Sequence, residues 1–196
     1  MNTKKEKSMS SKKVALVVGH RKHAQGAWGN AGMSEWVFNS RLARRIKERL
    51  DGSGVETKIF YRDERPGGYG ERMKRLHRRI DDWGADYSIS LHFNAAGDSR
   101  VNGHEVLYCS KAGKRAAKIL NDSFSRLLPA SRDRGIKKRT RKQRGGGFLC
   151  RGRSVCVLAE PFFAAHQDKF VPGIHGWDAL VDAYVDAILQ MTGARS

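Results

Sequence analysis

Three short apolar runs in this chain break off at a residue that can bind a metal or move a proton. Val14–Val18 leads into Gly19-His20, the stretch Asp86–Asn94 (Asp-Tyr-Ser-Ile-Ser-Leu-His-Phe-Asn) reaches His92, and Val155–Ala159 leads into Glu160. Runs this short and this apolar have the pattern of strands covered on both faces. Between them lie segments with apolar residues at helical spacing. Ser34 is placed to cap a helix from Glu35 to about Leu50, whose apolar stripe is Trp36, Val37, Leu42, Ile46 and Leu50. Val55–Tyr61 reads as a strand and Glu71–Trp83 as a second amphipathic helix with Met73, Leu76, Ile80 and Trp83 inward. Glu105–Cys109 reads as a strand, Gly113–Leu128 as a third helix and Asp178–Met191 as the last one.

Strands alternating with helices predict an α/β fold, a three-layer sandwich whose central, largely parallel or mixed twisted sheet is flanked by helices. In such a sheet, functional side chains gather just outside the carboxyl ends of the strands. Three strand ends carrying His, His and Glu therefore predict one site. The length of 196 residues suits one domain with a sizeable core, and no linker or internal repeat divides it. Residues 1–12, polar and lysine-rich, are expected to form a flexible tail, and residues 13–196 the single domain.

A catalytic zinc site uses three protein ligands drawn from His and carboxylate, and leaves a position for water. Such an ion lowers the pKa of that water from about 16 to about 7. His20, His92, Glu35 and Glu160 supply the donors, with one carboxylate as ligand and the other as base. Spacing alone leaves open which glutamate does which. Each residue also has a plainer role open to it: a hydrogen-bonded structural histidine, a Glu in a helix's first turn favoured by the macrodipole, or a surface ion pair.

The order of segments resembles the zinc-dependent N-acetylmuramoyl-L-alanine amidases of the amidase type 3 family. The matching pieces are Gly19-His20, Glu35, Ser90-Leu91-His92-Phe93-Asn94, Gly103-His104-Glu105-Val106-Leu107-Tyr108 and Val157-Leu158-Ala159-Glu160. Tyr61-Arg62-Asp63 and Arg72 resemble the family's intervening arginine positions. The likeness runs from Val14 to about Phe163. It implies His20, Glu35 and His92 as zinc ligands and Glu160 as catalytic acid/base, with Asn94, Glu105 and Arg72 as substrate-binding candidates. It also implies cleavage of the amide between N-acetylmuramic acid and L-alanine in peptidoglycan. Two pieces depart from the family pattern: Arg21-Lys22-His23 after the first His, and Pro161-Phe162-Phe163 after the last Glu. His23 is expected at the surface or behind the ligands. His77, in a basic helix, is expected to be solvated, and His104 is a candidate for lining the cleft. His166 and His175 lack metal spacing.

Lys+Arg 38 against Asp+Glu 20 gives a net charge of +18. A surface this basic attracts polyanions. Arg132–Arg153 concentrates the charge, and the whole stretch Pro129–Arg153 reads as irregular. Phe148 alone offers an aromatic there for base stacking, so a specific nucleic-acid partner is not expected. Flanking the cleft and holding stem-peptide carboxylates is the functional alternative to a solvated mobile loop, and contact with an anionic membrane or outer surface is a further one. The other function classes open are a basic binding module without catalysis and a zinc peptidase cutting within the stem.

Cys109, Cys150 and Cys156 have no metal or redox spacing and leave an odd thiol, so they are read as free thiols in a reducing cytosol. The basic amino terminus has no apolar segment long enough for a signal peptide, and no run approaches a membrane span. The chain is thus expected to be a monomer made soluble in the cytoplasm of a host and acting on the wall after release. With the resemblance, this implies a single-domain phage endolysin.

Overall fold

The computed structural model describes residues 11–194. Its elements follow in the order β1 (Lys13–Val18), α1 (Glu35–Leu50), β2 (Glu56–Tyr61), α2 (Tyr69–Trp83), β3 (Tyr87–Leu91), β4 (His104–Tyr108), α3 (Lys111–Leu127), β5 (Asp133–Lys138), α4 (Gly146–Leu149), β6 (Val155–Glu160), a 3-10 segment at Ala164–Phe170 and α5 (His175–Thr192). The six strands form one mixed sheet in the order β2-β1-β3-β6-β4-β5. β1 pairs in parallel with β2 and β3, and β3 with β6. β4 runs antiparallel to β6, and β5 parallel to β4.

The period of two along each strand splits the core into two layers. From β1, Val14, Leu16 and Val18 join Phe38, Leu42, Leu120, Phe124, Leu180 and Tyr184 on one face of the sheet. Ala15 and Val17 join Phe60, Met73, Leu76, Ile80 and Phe148 on the other. Phe38 packs edge to face against Phe93, Phe162 and Trp177, all within 5.9 Å between ring centroids. This aromatic knot braces α1 against the segments that follow β3 and β6. Phe38→Ala is expected to cost about 3–5 kcal/mol, because the knot cannot collapse into the space left. Denaturant titration of the variant measures that loss.

Side-chain caps set the starts of α1 and α3. Ser34 accepts the Val37 amide as expected. Ser110 accepts the Gly113 amide and starts α3 at Lys111, ahead of the expected Gly113. Residues 1–10 lie outside the described part, but Lys12 is held by its Nζ on Asp86 at 2.8 Å.

Two expectations are corrected here. The stretch 129–153 is not irregular throughout, because Asp133–Lys138 forms the edge strand β5 and Gly146–Leu149 a single helical turn. Asp-Arg-Gly-Ile-Lys-Lys shows no apolar alternation because an edge strand can keep its charges in water, where they also deter further pairing. Nor are all three cysteines free: Cys109 and Cys150 form a disulfide, and only Cys156 is a free, buried thiol. An odd count never forbade one pair. The sheet brings the end of β4 beside the end of α4 across 41 residues of sequence, and the cysteine count therefore says nothing about a reducing compartment. No helix among the described residues is long and apolar enough to cross a membrane.

Candidate metal centre and its carboxylate pair

β1 and β3 are parallel neighbours, so their carboxyl ends deliver His20 and His92 to the same edge of the sheet. Gly19 lets the two approach, for a Cβ there would stand 2.5 Å from His92 Cε1 and 2.6 Å from the Leu91 carbonyl oxygen. His20 has φ 63, the left-handed region that costs a non-glycine residue strain. Among the described residues it is the only non-glycine with positive φ. That conformation turns its ring onto Glu35, the first residue of α1.

Glu35 is 3% exposed and joins the two imidazoles. Its Oε2 lies 2.9 Å from His20 Nε2, and its Oε1 lies 2.7 Å from His92 Nδ1. The Phe93 amide donates to Oε1 at 3.1 Å. Burial opposes ionisation of Glu35, but the bonds to His20 and His92 outweigh it and hold the carboxyl well below the usual range. Burial pushes the His92 imidazole below its ordinary pKa, with Glu35 opposing. An ionised carboxylate with neutral imidazole is the protonation state that metal binding requires.

The residues fit a zinc-type ion on three counts. Ligand atoms from His20, Glu35 and His92 lie within 4.8 Å of one another. His92 Nε2 is buried with no hydrogen-bonding partner, an orphan that burial makes costly. The loop at Gly26 wraps the set so closely that a Cβ would come within 2.6 Å of both Glu35 Oε2 and the His20 ring. His23 is exposed and lies outside this set.

Glu160 ends β6, the strand next to β3, and is 2% exposed. The antiparallel pairing sets it directly opposite Glu105 of β4, on the same face. Two buried carboxylates side by side are tolerated because cations attend them. Lys137 Nζ and Arg134 Nε donate to Glu105 Oε2 at 2.6 and 3.0 Å, and Arg144 Nη2 donates to Glu160 Oε1 at 3.0 Å. Burial works against ionisation of Glu105, yet Lys137 and Arg134 keep its carboxyl below the ordinary value. At Glu160 burial wins. Its carboxyl is pushed up to about 7, opposed by Arg144 and reinforced by Glu105 and Glu35.

A cavity of about 440 Å³ opens over the site, lined by His20, His92, Arg62, Tyr69 and Leu158 together with the segment 141–145. The basic stretch therefore does flank the site. Other predicted residues sit apart from it. Arg72, in the first turn of α2, donates to the Gly67 carbonyl and is absent from the cavity lining. The arginine that lines the cavity is Arg62, stacked 5.6 Å from the Tyr69 ring and signalled in sequence by the Tyr61-Arg62-Asp63 resemblance, though not among the substrate-binding candidates. Asn94 is buried and spends its side-chain oxygen on the Ala95 amide, so it shapes the turn after β3. His104 does not line the cleft. Its alternation on β4 turns it to the helix side, fully buried, with Ser125 and Ser131 hydroxyls at 3.0 and 3.3 Å. Nor is His77 solvated: α2 rotates it under the Phe148 ring and leaves it 3% exposed.

Residues 14–171 match the family model described as N-acetylmuramoyl-L-alanine amidase. Among curated proteins, the N-acetylmuramoyl-L-alanine amidase LytC of Bacillus subtilis is 30% identical over 122 residues, which cover 61% of this chain and 24% of LytC. The match thus spans about a quarter of that relative's length. Among solved structures, the N-acetylmuramoyl-L-alanine amidase from Clostridium difficile 630 superimposes with a TM-score of 0.78 at 18% identity, covering 96% of this chain and 100% of that one. The catalytic domain of CwlV from Bacillus (Paenibacillus) polymyxa var. colistinus gives 0.75 at 19% identity, covering 94% and 99%. The catalytic domain of the CD27L endolysin targeting Clostridia difficile gives 0.75 at 24% identity, covering 91% and 97%. These structural likenesses establish a shared fold.

Proposed function

Because the chain belongs to the N-acetylmuramoyl-L-alanine amidase family, we propose that it hydrolyses the amide between the lactyl group of N-acetylmuramic acid and L-alanine in peptidoglycan, with zinc held by His20, Glu35 and His92. The observation that carries this reading is the His-Glu-His set, two of its members buried, beside a separate carboxyl, Glu160, whose proton affinity lies near neutrality. That separation supports Glu35 as ligand and Glu160 as acid/base. Glu35 is committed to two imidazoles, whereas Glu160 is free to exchange a proton.

Zinc, when bound, would supply positive charge that polarises the scissile carbonyl and makes water more acidic. The chain's own groups do the rest. Glu160 takes a proton from the attacking water as the C–O bond forms, and returns it to the amide nitrogen as the C–N bond breaks, so the amine leaves neutral. Arg62 and Arg144 place two positive charges at the cavity, one at its wall and one over Glu160, where substrate carboxylates of the stem peptide can be held. Residues 13–196 acting as one catalytic domain, and a wall-lysing endolysin role, belong to the same proposal. The basic surface supports them, as does the likeness in fold to a protein titled an endolysin.

Mass analysis of digested peptidoglycan tests the bond. Free stem peptides beginning at L-alanine are expected, and products cut within the stem would mean a peptidase instead. The neighbours of Glu160 predict a second result. The base form must be unprotonated, so kcat/KM rises with pH through the Glu160 pKa. Arg144→Gln removes the charge that lowers that pKa and should move the acidic limb to higher pH. Glu105→Gln removes one that raises it and should move the limb down. Profiles of the three proteins at equal zinc content check this, and a limb that stays in place in both variants would contradict it.

A further inference from the structure

Beside the catalytic cavity, and sharing Arg141 with it, lies a second depression of about 620 Å³ between α2 and the segment that follows α4. Lys74, Arg78, Arg141, Arg151 and Arg153 line it, against Asp81 and Asp82. Asp81 is partly spent, because its Oδ1 accepts the Arg153 amide at 2.9 Å. The floor is His77, 97% buried, with no hydrogen-bonding partner at either ring nitrogen. Burial lowers the His77 pKa against the Asp81 carboxylate and the Phe148 carbonyl, which favour the charged ring, and the Phe148 carbonyl closes no hydrogen bond of ordinary geometry. A neutral imidazole still has one N–H to give. Gly152 passes so close over the ring that a Cβ would stand 2.4 Å from His77 Nδ1. Arg151 Nε is likewise buried and without a partner.

Two orphaned buried donors, on His77 and Arg151, with four further cationic side chains around them describe a pocket built for an oxyanion. We propose that this depression binds a phosphate group, carried by a phosphodiester-linked anionic polymer of the cell wall. A tetrahedral phosphate accepts from several directions at once, which suits donors arriving from the floor, from α2 and from the loop together, whereas a planar carboxylate accepts mainly in one plane. The lining holds no Phe, Tyr or Trp, and the His77 ring is 97% buried, so a nucleic-acid base would find no open stacking surface there. The assignment of the polymer to the wall rests on the amidase reading; the phosphate site itself does not. Through Arg141, a polymer held here would lie alongside the catalytic cavity and keep the enzyme on its substrate.

The test is calorimetric titration of the full chain with a poly(glycerol phosphate) oligomer, in buffer free of peptidoglycan, so the outcome is independent of amide cleavage. Arg78→Gln combined with Arg151→Gln should weaken binding by about tenfold or more, the scale of losing charge-assisted contacts. Arg44→Gln with Arg45→Gln removes equal charge from the outer face of α1 and should change it by less than about twofold. In the wild-type protein, inorganic phosphate should shift the His77 ring nitrogen resonances while leaving those of exposed His175 in place, a readout that needs no variant to fold. Equal weakening by both arginine pairs, or a silent His77, would overturn the site. Arginine-dependent binding of phosphatidylglycerol vesicles or single-stranded DNA with none of the wall polymer would overturn the assigned ligand.

Discussion

Glu160→Gln is expected to reduce amide hydrolysis by about 10²–10⁴-fold, the usual contribution of a positioned general acid/base, while leaving the fold and the zinc content unchanged. The substitution is nearly isosteric at a position 2% exposed, so packing around β6 is preserved. The Gln side-chain oxygen can still accept from Arg144 Nη2, which now donates to Glu160 Oε1. What disappears is the atom that holds the proton. The buried pair Glu105–Glu160 also loses one carboxyl whose ionisation burial already disfavours, so thermal stability should hold or rise. Steady-state rates on purified peptidoglycan, with zinc content and melting temperature measured on the same samples, decide the matter. A variant that keeps more than about a tenth of wild-type activity would remove Glu160 from the mechanism.

His92→Ala is expected to abolish both zinc retention and wall lysis, and to weaken the fold as well. Wild-type protein should carry about one zinc per chain, since one His-Glu-His set with a single free coordination position holds one ion. Without His92, Glu35 Oε1 loses its imidazole partner, and the buried carboxylate keeps His20 on Oε2 and the Phe93 amide on Oε1. Losing the hydrogen bond that a neutral imidazole makes to a buried carboxylate costs about 1.5–3 kcal/mol. Zinc linkage gives an independent check: free metal at a hundred times its Kd stabilises the folded state by about 2.7 kcal/mol. A chelator should therefore lower the melting temperature of the wild type and leave that of His92→Ala where it is. Equal chelator sensitivity in both proteins would show that the ion is held elsewhere.

The strands that deliver the site are legible because their chemistry is local. β1, β3 and β6 are central, buried on both faces, and so written as continuous apolar runs that end where the backbone leaves the sheet. β5 was illegible for the opposite reason. An edge strand needs only one partner and can be built from Asp, Arg and Lys. His77 and His104 misled because a histidine's exposure depends on which side of its helix or strand meets a neighbour, and both rings are turned inward. Arg62 and Arg72 were both in view, and only the packing of Tyr69 against the first and the capping loop against the second separates their roles.

By itself the sequence determined the α/β alternation, the cap at Ser34, and the placing of His20, Glu35, His92 and Glu160 at element ends. These follow from periodicity and backbone preference within a few residues. Only the tertiary structure decided that β4 runs against β6. That antiparallel pairing puts Glu105 opposite Glu160, while β5 on the other side of β4 brings Lys137 and Arg134 to Glu105; burial, opposed by Arg144 and reinforced by Glu105, raises the Glu160 proton affinity toward neutral pH. The packing of α4 beside β4 brings Cys109 to Cys150. A side chain's identity is local, but its charge state is set by what surrounds it, and here the surroundings come from strands far apart in the chain.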